Sequence, residues 1–191
     1  MKKIFLSLFA MLLLAFSTLS EAKTLVLYYS FTGNSKAIVT DFKDQTGADV
    51  AEVLPAKKGL DYAANNYALG SNLMLAIRNA PDKESSYPEV DPVNANLADY
   101  DSFVIATPLW WGEMAAIMQG FLFRHSAELS GKKVALIVSS YSTGIDGVER
   151  DLKRLLKDSQ IVSPGLWIKS SQTGECHEMI KNWLPEIGFS K

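Results

Sequence analysis

The stretch TLVLYYSFTGNSKAIV, residues 24–39, joins the pattern of a buried strand to the beginning of a helix. Residues 24–29 form an apolar run rich in β-branched and aromatic side chains, which predicts a strand buried on both faces. Helical periodicity follows directly, in residues 33–43. The free N–H groups and the dipole of a helix N-terminus favour a phosphate, although the same residue types are also common as simple helix caps. The small and polar residues of this connection are Ser30, Thr32, Gly33, Asn34 and Ser35.

The same alternation of short apolar runs and helical segments continues along the chain. Predicted strands cover residues 24–29, 49–54, 102–106, 133–138 and 161–168, and predicted helices cover residues 33–43, 60–79, 113–124, 146–157 and 174–187. The central runs are apolar on both faces, which requires a parallel sheet with helices on each side. We therefore predict an α/β fold, a three-layer doubly wound parallel sheet of five strands in the order 2-1-3-4-5. The irregular segment 57–96 is longer than a simple crossover and serves as a lid or as a partner surface.

Ligands of doubly wound sheets bind beyond the carboxyl ends of the strands. The residues after the third predicted strand are Thr107, Pro108, Leu109, Trp110, Trp111 and Gly112. A Trp pair in a turn favours a flat aromatic ligand, because an exposed ring gains from a stacking partner, although one ring of the pair is expected to pack inward. The residues after the fourth predicted strand form a polar, flexible loop at the same edge, and they are Ser140, Tyr141, Ser142, Thr143 and Gly144.

Three segments in this order, LVLYYSFTGNSKAIV, IATPLWWGEM and LIVSSYSTGIDG, resemble the FMN-binding segments of the flavodoxin family. The resemblance extends over about residues 25–184 and includes CHEMIKNWL near the end. It implies FMN as the cofactor, with its phosphate on the residue 30–35 loop and its ring along residues 107–112. It also implies that Trp111 stacks on the ring and that residues 140–144 meet the pyrimidine edge. Tyr141 stands where relatives often have a small residue, and it either stacks as a second ring or faces solvent.

Residues 1–22 have the pattern of a cleaved signal peptide, because two lysines precede the apolar run 4–19 and small residues allow cleavage after Ala22. A helix of this apolar run would rise about 24 Å, less than the roughly 30 Å of a bilayer core, so no stable membrane anchor is expected after cleavage. We predict an exported protein, periplasmic or secreted, whose mature part is the flavodoxin-like domain 23–191.

Charge and composition exclude several classes of function. Without residues 1–22 the chain has 17 basic and 20 acidic residues, and this balance predicts no nucleic-acid partner. It is also less acidic than many flavodoxins, which weakens the expectation that charge steers it toward basic redox partners. The single Cys176 allows no intrachain disulfide, and His125 and His177 lack partners at ligand spacing, so no metal site is predicted.

The sequence contains no nucleophile–base set and no Gly-x-Ser-x-Gly elbow. We therefore assign no catalytic side chain and attribute the redox chemistry to the flavin. Three functions remain open. The first is an electron carrier for a redox partner protein. The second is an NAD(P)H:quinone-type reductase for a small electron acceptor, for which segment 57–96 supplies a covered pocket. The third is a flavodoxin-fold binding module without flavin. Export favours the carrier over the reductase, because nicotinamide cofactors are scarce outside the cytoplasm.

Overall fold

The computed structural model describes residues 22–189, so the predicted signal peptide lies outside the described residues except for Ala22. Within this range, strands and helices alternate as the sequence predicts. The strands are β1 (Thr24–Tyr28), β2 (Asp49–Glu52), β3 (Ser102–Trp110), β4 (Glu113–Met114), β5 (Lys133–Ser140), β6 (Gln160–Ile161) and β7 (Leu166–Lys169). The helices are α1 (Asn34–Thr46), α2 (Ala64–Asn79), α3 (Ala116–His125), α4 (Asp146–Leu155) and α5 (Cys176–Trp183).

The sheet confirms the predicted fold class and corrects its strand count. Its order is β2-β1-β3-β5-β6, all parallel, and β7 also pairs in parallel with β5. The predicted fifth strand is therefore two short strands, because Pro164 has no N–H to donate and interrupts the pairing between them. The other addition is β4, which folds back antiparallel on the end of β3. That hairpin extends β3 to Trp110, past the predicted end at residue 106.

Helices cover both faces of the sheet, as the doubly apolar strands require. Alternate residues of β1 illustrate this, since Leu25 and Leu27 belong to one core and Val26 and Tyr28 to the other. The first core contains buried residues of α2, α3 and α4. The second contains buried residues of α1 and α5. The sheet is thus the middle of three layers, and its carboxyl edge is accessible between them.

Segment 57–96 contributes α2 and a loop that returns toward β3. The first turn of α2 is unusual, because Asn65, Asn66 and Tyr67 all have positive φ angles of 51°, 55° and 62°. Each such residue costs about 1 kcal/mol in a chain of L-amino acids. The left-handed turn lies next to the carboxyl edge of the sheet, where Tyr67 lines the cavity described below. None of the helices between residues 22 and 189 has the length and apolar character needed to cross a bilayer.

Candidate functional site

A cavity of about 410 Å³ lies at the carboxyl edge of the sheet, where the loops after β1, β3 and β5 converge. This volume falls within the usual range of small-molecule sites, about 300–1,000 Å³. Its walls contain nine of the residues singled out from the sequence: Thr32, Asn34, Ser35, Pro108, Leu109, Trp110, Trp111, Ser140 and Tyr141. The other seven do not line it: Ser30, Gly33, Thr107, Gly112, Ser142, Thr143 and Gly144. Several of these seven hold the loops in place instead.

The first wall is the N-terminus of α1. Gly33 has a φ of 91°, a left-handed conformation that glycine adopts at little cost. The hydroxyl oxygen of Ser30 accepts a hydrogen bond from the N–H of Lys36 at 3.2 Å, and the first helical bond runs from the Ala37 N–H to the Gly33 carbonyl at 3.0 Å. The N–H groups before Lys36 thus precede the helical ladder, as at any helix start. The structure therefore offers main-chain donors at this wall of the cavity.

Ser35 is the residue of this wall whose side chain indicates a bound ligand. It is 3% exposed, it lines the cavity, and its hydroxyl is buried without a hydrogen-bond partner among the described residues. A buried polar group in this state costs about 1–3 kcal/mol. An anion at the helix N-terminus would supply the missing acceptor and would also gain from the helix dipole.

The second wall is the Trp turn, which we define as residues 110–114. Trp110 is the inward ring: it is 8% exposed, and it meets the rings of Tyr29 and Phe31 edge-on at centroid distances of 5.7 and 6.0 Å. Trp111 is 45% exposed and has a φ of 49°, a strained value for a large side chain. The two indoles are nearly perpendicular. The turn therefore buries one ring and presents the other at the mouth of the cavity.

Helices on both sides hold the Trp turn in place. From α2, the Arg78 Nε–H lies 2.9 and 3.0 Å from the two carboxylate oxygens of Glu113, and its Nη2 donates to the Trp111 carbonyl at 3.0 Å. From α4, the backbone approaches so closely that a Cβ on Gly147 would lie 1.8 Å from the Gly112 carbonyl oxygen. The turn is therefore a rigid wall, although Arg78 and Glu113 are partly exposed.

The third wall is the loop after β5. The Ser140 hydroxyl donates to the Thr143 carbonyl at 2.6 Å and accepts from the indole Nε1 of Trp167 at 2.8 Å. These two hydrogen bonds hold the loop closed. Thr143 therefore helps to shape the loop through its carbonyl, although it does not line the cavity. Tyr141 is 86% exposed and faces solvent at the cavity rim. Trp167 lies on β7, and no local pattern in the sequence connects it with Ser140.

Sequence reasoning missed six residues of the cavity: Phe31, Tyr62, Tyr67, Gly70, Ser139 and Ser170. Phe31 lies in the loop after β1, and Ser139 lies at the end of β5, beside the third loop. Sequence reasoning missed them because Phe31 is apolar and Ser139 belongs to a strand. The contribution of segment 57–96 had no local signal. At Gly70, a Cβ would lie 3.0 Å from the Trp111 ring, so the absence of a side chain on α2 makes room for the Trp turn.

Tyr62 resembles Ser35 in having a buried hydroxyl without a partner among the described residues. Its ring lies 5.3 Å from Trp110 and 6.1 Å from Phe31, centroid to centroid. Burial raises the pKa of Tyr62, so the phenol keeps its proton at neutral pH and remains a hydrogen-bond donor.

Cys176, by contrast, lies outside the cavity. Burial, followed by the nearby charge of Asp41, raises the pKa of its thiol, which disfavours the reactive thiolate.

Between residues 22 and 189 no cluster of three or more His, Cys, Asp or Glu side chains is arranged to hold a metal ion. The cavity walls instead combine neutral hydroxyls, main-chain groups and aromatic rings.

The family model for flavodoxin matches residues 23–187, which is nearly the whole chain. The chain belongs to the flavodoxin family.

Solved structures agree with this flavodoxin assignment. A Bacteroides eggerthii protein superposes with a TM-score of 0.71 at 24% identity, over 88% of this chain and 99% of that one. A Lactobacillus acidophilus flavoprotein, solved in complex with FMN, superposes with a TM-score of 0.64 at 21% identity, over 81% of this chain and 98% of that one. At these identities the similarity shows the fold.

A curated relative from Rhizobium meliloti is named NAD(P)H dehydrogenase (quinone) 3, and it is 34% identical over 108 residues. The aligned region is 52% of this flavodoxin-family chain and 42% of the relative, so the chain spans less than half the length of that protein.

Proposed function

We propose that this protein binds one FMN non-covalently in the cavity and acts in electron transfer outside the cytoplasm. The observation that carries the proposal is the Ser35 hydroxyl, which is buried at the N-terminus of α1 without a hydrogen-bond partner among residues 22–189. The terminal phosphate of FMN supplies the acceptor that this hydroxyl lacks. Main-chain N–H groups at the same helix start supply further donors. The residues present thus fit the phosphate end of the cofactor.

The remaining walls fit the flat end of FMN. Trp111 offers a partly exposed ring at the cavity mouth, and the exposed ring of Tyr141 lines the same cavity. None of the residues that line the cavity carries a charged side chain. Neutral dipoles would therefore hold the phosphate, and the apolar walls would exclude water from the ring. Bound FMN supplies the redox chemistry, and the residues named here bind and orient it.

The exposed rings at the cavity mouth favour an electron carrier. Trp111 and Tyr141 line the cavity and are 45% and 86% exposed, so the cavity opens to solvent beside them, where a redox partner protein could approach a bound flavin. Electron transfer needs such an exposed edge and no separate substrate pocket. The predicted export supports the same function, because it places the protein away from the cytoplasmic nicotinamide pool.

A second candidate is an FMN-dependent NAD(P)H:quinone-type reductase. The observation that favours it is the wall built by segment 57–96, where Tyr62, Tyr67 and Gly70 enclose the cavity from the α2 side. The name of the Rhizobium meliloti relative supports the same candidate. The two functions differ in what reduces the flavin, and this difference can be measured directly.

We expect purified residues 23–191 to be yellow and to release FMN, in a 1:1 ratio with protein, when denatured. Chromatography of the released flavin against FMN, FAD and riboflavin standards identifies it. Protein stripped of flavin should quench the fluorescence of added FMN more strongly than that of riboflavin, because riboflavin lacks the phosphate. A colourless preparation that also fails to quench FMN would contradict the proposal.

Full-length protein expressed in a bacterium should yield a mature N-terminus at Lys23 in the periplasm or medium, and cytoplasmic full-length protein alone would contradict export.

We expect NADH and NADPH to leave the bound flavin oxidised over several minutes without oxygen, whereas dithionite bleaches it at once. A carrier lacks a nicotinamide site, so hydride transfer should be slow. Absorbance of the flavin after anaerobic mixing measures both reactions, with menadione added afterwards as a small acceptor. Bleaching by NADPH within seconds, followed by reoxidation with menadione, would instead establish the reductase.

A further inference from the structure

A polar network lies beside the Trp turn, and none of its side chains lines the cavity. Its acceptors Gln119, Asp151 and Tyr87 are buried, whereas the side chain of Arg154 is 33% exposed. Its centre is Arg154 on α4, whose guanidinium donates from Nη2 to Gln119 Oε1 at 2.7 Å and to Asp151 Oδ1 at 3.1 Å. Its Nη1 donates to the Tyr87 hydroxyl at 2.8 Å. That hydroxyl in turn donates to the Pro81 carbonyl at 2.6 Å. One side chain thus joins α4, α3 and the loop that follows α2.

The network ends on the last residue of the Trp turn. The main-chain N–H of Met114 donates to Asp151 Oδ2 at 3.0 Å, and its carbonyl accepts from Gln119 Nε2 at 2.7 Å. Both side chains that hold Met114 are therefore bonded to the same guanidinium. Met114 and Gln119 are fully buried and Asp151 is 9% exposed, so water cannot readily replace these bonds.

We propose that Arg154 is a positioning residue for the flavin site, acting through Asp151 and Gln119 to set the geometry of the Trp turn. The proposal rests on the proposed function, because the turn lines the cavity assigned to FMN. Arg154 does not line the cavity, and among the described residues it makes no hydrogen bond to a residue that does. It acts by fixing the two side chains that bond both main-chain groups of Met114, four residues from Trp110.

The charge of Arg154 is retained inside this network. Burial by itself lowers the pKa of the guanidinium, but the hydrogen bonds to Tyr87 and Asp151 outweigh that effect and leave the pKa raised. A charged guanidinium is planar and donates in several directions at once, which a lysine ammonium cannot reproduce at this spacing.

The test compares Arg154→Met with the matched variant Arg124→Met. Arg124 is also a partly buried arginine, and it bonds the same loop through the Pro88 carbonyl and Glu84. Among the described residues it makes no hydrogen bond to Asp151, Gln119 or Met114. Both variants are expected to lose stability, but only Arg154→Met should weaken FMN binding, by about tenfold, the order of an indirect effect transmitted through packed side chains.

A double variant is also needed, because Arg154→Met leaves the Asp151 carboxylate buried without its cation, and an unpaired buried charge lowers the stability by itself. Arg154→Met combined with Asp151→Leu removes both charges and should recover part of the lost stability, less the cost of the Met114 N–H that loses its acceptor. It should not recover FMN affinity, because Asp151→Leu removes a second contact that positions the Trp turn. Affinity is measured by quenching of FMN fluorescence, and stability by chemical unfolding of the flavin-free protein.

A second readout needs no flavin. The rings of Trp110 and Trp111 lie 6.2 Å apart at an angle of 84°, close enough for their electronic transitions to couple in circular dichroism. This signal should weaken in flavin-free Arg154→Met and in the double variant, and persist in Arg124→Met. Unchanged coupling and unchanged FMN affinity in a folded Arg154 variant would overturn the proposal, as would an equal loss of affinity in Arg124→Met. If the wild-type protein binds no FMN, the proposed function fails, and unchanged coupling in Arg154→Met would still overturn the positioning role.

Discussion

Replacement of Ser35 with alanine is expected to stabilise the flavin-free protein while weakening FMN binding by about 10- to 100-fold. The two effects have opposite signs because the hydroxyl is buried without a hydrogen-bond partner in the part of the chain that the structure describes. Removing it relieves a desolvation cost, a gain of about 1 kcal/mol in the free energy of unfolding. Removing it also deletes a donor to the phosphate. Chemical unfolding without flavin and FMN fluorescence titration measure the two effects separately.

Thr40→Ala is a suitable control on the same helix. The Thr40 hydroxyl already donates to the Lys36 carbonyl at 2.9 Å on the exposed side of α1, and it lies outside the cavity. Its removal should leave FMN affinity unchanged and should not raise stability. An Ser35→Ala protein that keeps wild-type FMN affinity would show that the phosphate lies elsewhere. A loss of stability without flavin would show that the hydroxyl already has a partner.

Gly147→Ala should lower FMN affinity by about 10- to 100-fold, the range that corresponds to about 1–3 kcal/mol of overpacking strain placed on the binding wall. A Cβ at this position would lie 1.8 Å from the Gly112 carbonyl oxygen, which is main chain and cannot rotate away. Either α4 or the Trp turn must shift, and both are packed against the core. Overpacking of this kind also lowers the free energy of unfolding by about 1–3 kcal/mol. The same titration and unfolding experiments detect both changes.

Gly174→Ala provides the matched control for Gly147→Ala. A Cβ at Gly174 would meet no atom within 4 Å, and its φ is not in the left-handed region. Gly174 does not line the cavity, so the same chemical change there should leave affinity and stability close to wild type. Equal FMN affinity in the Gly147 and Gly174 variants would mean that the Trp turn does not support the cofactor.

The elements of this fold could be predicted from short stretches of sequence. The β1–α1 connection is one example, because the apolar run and the small polar residues after it specify both a buried strand and an open helix N-terminus. The fifth strand is a counterexample. Residues 161–168 have a strand composition, but Pro164 divides them into β6 and β7, and only the pairing of each with β5 shows that both remain in the sheet.

Part of the cavity could be predicted from the sequence and part could not, and the physical reason differs from one wall to another. Ser35 lies in the first turn of the helix that follows β1, and Trp111 follows β3 directly, so their position at the carboxyl edge follows from topology. Tyr62 and Tyr67 come from the crossover between β2 and β3, whose path over the sheet depends on how α2 packs. Trp167 reaches Ser140 only because β7 pairs with β5. Contacts of this kind connect residues far apart in sequence and leave no local pattern.

The amino-acid sequence by itself determined the alternation of strands and helices, the parallel sheet and the three loops at its carboxyl edge. It could do so because burial on both faces and helix periodicity are properties of neighbouring residues. Tertiary structure alone decided that Trp110 packs inward while Trp111 stays at the cavity mouth, and that Ser35 is buried without a hydrogen-bond partner among the described residues. It also decided that Gly70 of α2 and Gly147 of α4, which are distant in sequence, both approach the Trp turn. These features depend on which surfaces meet when the layers pack, and that meeting exists only in the folded chain.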